Sequence, residues 1–167
     1  MKIPKILSIF IGLVFLVSGS AFGATIKVPA DYPTIQKAID AAIVGDTVFV
    51  SSGTYIGPIY FNGKKITVRS ESGPNVTFID GRVDFYNFET EESVLEGFTT
   101  WGSDISSSSP TIKNCKLKGE GTASTGGHGS IFSGSSPTFI GCQIYDGQAD
   151  VGGGYDVRDS SATFIDC

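Results

Sequence analysis

Apolar residues fall at helical spacing in only one stretch of this chain. In DYPTIQKAIDAAIVGD, Ile35, Ala38, Ile39 and Ala42 stand at i, i+3, i+4 and i+7, the pattern of a short helix with one apolar face. Pro33 suits its first turn, Asp31 can cap it, and Gly45 can end it. Beyond it the period drops to two. TVFVSSGTY, KITVRSE, NVTFIDG and SVLEGFTTWG alternate apolar and polar positions and read as strands divided by turns.

The rest of the chain repeats itself. SSPTIKNC at 108–115 returns as SSPTFIGC at 135–142 and as SSATFIDC at 160–167, a period of roughly 25 residues that signals a solenoid. Aligned on these copies, Ile112, Phe139 and Phe164 share one column, Leu117 and Ile144 a second, and Ile105, Phe132 and Val157 a third. VLEGFTT fits one coil earlier, with Leu95 under Ile112 and Phe98 under Cys115. Before each cysteine column position stands Gly97, Asn114, Gly141 or Asp166. These residue types enter the left-handed backbone region most cheaply. Ile112 and Cys115 are three apart yet both read as buried, which a straight strand of period two forbids. A one-residue left-handed corner between two strands accounts for both observations. The fold class is therefore all-β: a right-handed parallel β-helix with an N-terminal capping α-helix.

VPADYPTIQKAIDAAIVGDTVFVSSGTY resembles the N-terminal cap and first coil of right-handed β-helix proteins of the pectin-lyase-like superfamily, pectin methylesterases among them. KKITVRSESGPNVTFIDG is similar to their next coil, and SSPTIKNC to their generic repeat. The resemblance spans residues 26–167 and implies the fold. It implies no activity, because one fold hosts many functions. The paired Asp, Gln and Arg motifs of the methylesterases have no match here, nor does the Ca²⁺-binding Asp cluster of the lyases. No catalytic residue is carried over.

Composition places the protein. MKIPK followed by the apolar run ILSIFIGLVFLV and the small residues of SGSAFG reads as a secretory signal over residues 1–23. Residues 24–46 then form the cap strand and helix, and 47–167 the coils. The formal net charge is −5, and losing Lys2 and Lys5 with the signal makes the mature chain more acidic. That argues against nucleic acid, which is bound through Lys and Arg. No second long apolar run follows, so no membrane insertion is expected after signal removal. The three cysteines suit small buried free thiols, with an adjacent-coil disulfide or a metal site as alternatives. Registered parallel strands fit disulfide geometry poorly, and no His accompanies the ladder. Asp150 and Gly152–Gly154 fall short of the Ca²⁺-binding nonapeptide. No metal and no cofactor is expected.

Candidate chemistry follows from parity. With Cys115 and Leu117 inward, Lys116 and Lys118 point outward, as do Thr99 and Trp101 one coil below and Gln143 and Tyr145 one coil above. Trp101, Lys118 and Tyr145 then form a strip of aromatic, cation, aromatic. Aromatic faces suit sugar rings, and lysines suit uronate carboxylates. Trp101, Lys116, Lys118 and Tyr145 are thus the candidate carbohydrate-binding residues, set against a cation–π ladder that merely ties coils together. Corner insertions at EGTASTGGH and QADVGG carry His128 and Asp150. A lone His in a glycine-rich loop reads as solvated, and Asp156 with Arg158 as a surface ion pair. Asn75-Val76-Thr77 is a glycosylation sequon, meaningful in a host that modifies exported proteins.

The favoured reading is an exported or surface β-helix module that binds polysaccharide. The alternatives are the front of a polysaccharide-active enzyme with catalytic coils beyond residue 167, and a structural repeat of a larger surface protein. Solenoids need a polar cap at each end, so further coils or a C-terminal cap are expected after SSATFIDC.

Overall fold

A computed structural model describes residues 23–119, 122–125, 127–151 and 153–167. The expected signal sequence over residues 1–23 therefore lies, but for Gly23, outside the described residues, and so does part of the 120–128 corner. The chain winds into a parallel β-helix of about five coils. Its first face stacks seven strands, Thr25–Val28, Thr47–Val50, Thr67–Ser70, Val94–Glu96, Thr111–Lys113, Thr138–Ile140 and Thr163–Ile165. The second stacks Gly53–Ile56, Thr77–Asp80, Thr99–Thr100, Lys116–Lys118 and Gln143–Tyr145. On the third, Ile59–Tyr60 pairs with Val83–Asp84, and a bridge from Phe85 to Ile105 leads on to Ile105–Ser106, Gly129–Phe132 and Tyr155–Val157. Thr122–Thr125 and Gln148–Val151 pair as a small parallel ribbon beside the stack.

Identical inward positions stack coil on coil, and these columns are the core. Val48, Val68, Leu95, Ile112 and Phe139 lie in one register, all buried. The column continues to Phe164, whose ring stacks on Phe139 at 4.8 Å. Leu117 pairs with Ile144, as the repeat spacing implies. Gly97, Asn114, Gly141 and Asp166 all have positive φ, from 50° to 80°. The left-handed corner between the first and second faces is therefore present in four successive coils.

The third column is shifted from its sequence alignment. Ile105 pairs with Ile131, and Ile131 with Val157, while Phe132 pairs with Ser106 on the outside. Gly134, at φ 73°, adds a residue to that corner beside Ser133, so counting back from Phe139 lands one position late. A one-residue slip sends a side chain to the opposite face.

The helix is Ile35–Ala41, and Ile35, Ala38 and Ile39 bury its apolar face. Its cap is Thr34, whose hydroxyl accepts from Lys37 N, rather than Asp31. Asp31 instead accepts from Lys27 N at 2.7 Å and closes the turn that precedes the helix. At the other end Gly45 lies beyond the helix. Lys64 Nζ donates to the carbonyls of Ile39, Asp40 and Ala42 at 2.7–2.8 Å, a cation set on the last carbonyls at the negative end of the dipole. This lysine, from the next coil, docks the helix on the stack.

A candidate carbohydrate-binding face

The second face carries the outward strip. Lys118 pairs with Tyr145 in register, and its ammonium lies 5.1 Å from the centroid of the Trp101 ring. Trp101 Nε1 donates to Asp80 Oδ1 at 3.0 Å, which fixes the ring and uses its one polar atom. Phe78 and Tyr145 present partly exposed rings on either side. Between them runs a groove of about 490 Å³, lined by Thr54, Phe78, Asp80, Trp101, Lys118 and Tyr145. Strands of period two on a rigid stack hold these side chains at strand spacing, roughly 4.8 Å per coil.

Three of the four sequence-predicted residues thus share one groove. Lys116 does not. Its ammonium is drawn to Asn75 Oδ1 at 2.7 Å, beside a separate hollow formed with Pro74, Asn114 and Gln143. Asn75, the sequon asparagine, is exposed on that rim. Phe78 and Asp80 complete the groove; NVTFIDG shows the same outward parity, but only the stacking of the coils sets it beside Trp101.

A charged cluster on the third face has no motif in the sequence. Arg82 Nη2 pairs with Asp104 Oδ1 at 2.6 Å, and Arg82 Nε with Asp84 Oδ1 at 3.4 Å. Asp84 also accepts from Asp104 N at 2.8 Å, and Asp104 from Ser130 N at 2.7 Å. Burial holds the Asp84 carboxyl above its ordinary value, against the lowering pull of the Asp104 N–H and Arg82. Higher on this face Arg158 pairs with Asp156 as a surface ion pair.

His128 differs from its sequence reading. It is buried, with Nδ1 3.0 Å from Gly153 O and Nε2 2.8 Å from Tyr145 O. A neutral ring donates to one of these carbonyls, an imidazolium to both. Its work is to tie the corner to the strand that carries Tyr145. All three cysteines are free thiols, with Cys115 and Cys142 buried and Cys167 exposed. Burial pushes the Cys115 thiol up to about 12. Among the described residues no group of three or more His, Cys, Asp and Glu is placed to hold a metal ion, and no helix is long and apolar enough to cross a membrane.

The fold and this face define a parallel β-solenoid with a half-exposed aromatic and cationic strip on one side. No protein-family model, curated protein or solved structure matches the chain.

Proposed function

We propose that this chain is an exported β-helix module of the pectin-lyase-like kind that binds acidic polysaccharide along its second face. The observation that carries the reading is the groove over Phe78, Trp101 and Tyr145 with Lys118 set in it. Rigid aromatic faces offer area to a sugar ring at low entropic cost. Lys118 supplies a cation for a uronate carboxylate on an otherwise acidic protein. The leader pattern of residues 1–23 supports export to the cell surface, periplasm or medium. Calorimetric titration of uronate and neutral oligosaccharides into the mature protein tests this. The parent should bind the uronate, and Trp101→Ala with Lys118→Ala should weaken binding by at least about tenfold. An unchanged affinity in the double variant removes the proposed face.

A polysaccharide-active enzyme is the second reading, and it rests on the third face. Asp84, whose carboxyl burial holds above its ordinary value, lies beside Asp104, and Arg82 pairs with both. A buried carboxyl raised above its ordinary value, with a second carboxylate beside it, suits acid–base chemistry. Reducing-end release from acidic polysaccharides, abolished in Asp84→Asn, would favour this reading. Its absence leaves the binding module.

A further inference from the structure

A second left-handed corner joins the third face to the first. It is turned by Phe88, Ser107, Ser133 and Asp159 in successive coils, with φ between 47° and 60°. Aspartate is favoured there because its short side chain bonds locally, and serine, though not favoured, is small enough to be held there at modest cost. Phenylalanine is an outlier, since a bulky residue gains nothing from that conformation. Nor does the ring gain from the core, being 79% exposed. A residue that is strained and unburied serves neither backbone nor packing, and such outliers gather at functional sites.

The backbone that carries the ring is anchored on both sides of Phe88. Its neighbour Glu89 is buried, and the Glu89 carboxylate accepts from Gly63 N, Asn87 N and Ser108 Oγ at 2.8–2.9 Å. Ser109 N donates to Glu89 O at 2.7 Å. Beside the ring lies a hollow of about 480 Å³ lined by Phe88, Thr90, Ser107, Ser109 and Ser133, with Glu91 also in its wall and no Lys or Arg. An aromatic platform over a hydroxyl floor matches the apolar face and the hydroxyl edge of a pyranose. The only charges are acidic, so the chemistry favours a neutral ring and repels a uronate. One lone ring over serines is not the contiguous apolar patch that a protein contact uses.

We propose that the Phe88 corner is a second carbohydrate site, selective for neutral sugar, on a different side of the coil from Trp101. Phe88→Asn tests it, because asparagine suits the left-handed backbone and removes only the ring. Cello-, xylo- and mannohexaose and a hexagalacturonate are titrated calorimetrically into the parent, Phe88→Asn and Trp101→Ala, with NMR shifts of the Phe88 ring followed in the parent and in Trp101→Ala. At least one neutral hexaose should shift that ring and bind at least about tenfold more weakly to Phe88→Asn. Its affinity should be unchanged in Trp101→Ala, and Phe88→Asn should melt no lower than the parent. Failure of hexagalacturonate to bind would count against the Trp101 face alone. The Phe88 site is overturned if no neutral hexaose shifts the ring or if Phe88→Asn binds as the parent does. It is equally overturned if sedimentation shows self-association that Phe88→Asn abolishes.

Discussion

Replacing Asn114 by valine isolates the backbone term on which the coil geometry depends. Asn114 turns the corner between Lys113 and Cys115 at φ 50°. Its side chain is exposed, so substitution opens no cavity. Its N–H donates to Ile140 O at 2.8 Å and must stay in place for the coils to stack. An L-residue held left-handed costs about 1–2 kcal/mol, least for asparagine and most for a β-branched residue. Asn114→Val should therefore lose roughly 1–2 kcal/mol, a fall in Tm of roughly 2–8 °C for a domain of this size. Asn114→Gly should stay within about 0.5 kcal/mol of the parent. Lys113→Val, one residue earlier in extended backbone, should do the same and controls for hydrophobicity. Urea melts followed by Trp101 emission and by circular dichroism give the three values. Equal stability for Asn114→Val and Lys113→Val would refute the corner.

Four further outcomes follow from the same packing. Phe139→Ala should cost about 3–5 kcal/mol, because its buried ring packs on Tyr155 and Phe164; urea melts measure this. Glu89→Ala strips the acceptor from three donors and should cost about 3 kcal/mol or more in the same assay. With its folded pKa raised, Asp84 favours the folded state most below its unfolded pKa. That contribution is lost as pH rises through the folded value. The stability of the parent relative to Asp84→Asn should therefore grow as pH is lowered from 7 toward 4, and a gap that shrinks contradicts it. Iodoacetamide at pH 8 should label Cys167 first and Cys115 only on unfolding, since burial pushes both Cys115 and Cys142 up.

Where sequence and structure agree, a local preference was repeated. Gly97, Asn114, Gly141 and Asp166 advertise the left-handed corner because few other residues enter that region cheaply. Leu95, Ile112, Phe139 and Phe164 align because nothing is inserted between each of them and its corner. Trp101, Lys118 and Tyr145 were legible because parity runs outward from two buried neighbours. The second corner was hidden, because Phe88, Ser107 and Ser133 carry no left-handed signature. Behind it Ser108 and Ser135, the first residues of the repeats, turn inward. Ser108 N donates to Ser135 Oγ, and Ser135 N to Ser160 Oγ. Gly134 broke the count for Ile131 because one extra corner residue leaves no mark on composition. The path of Lys116 to Asn75, the burial of His128 and the Arg82–Asp84–Asp104 cluster depend on which coils lie adjacent. Those contacts join residues about 20 to 40 apart in sequence with no local pattern of their own.

Trp101 is the single tryptophan of the chain, so its emission reports on the proposed face alone. Hexagalacturonate titrated into the mature protein should change that emission saturably, and Lys118→Ala should shift the midpoint upward by about tenfold or more. Emission that stays constant through saturating ligand, or a midpoint that Lys118→Ala leaves in place, would contradict carbohydrate binding on the second face.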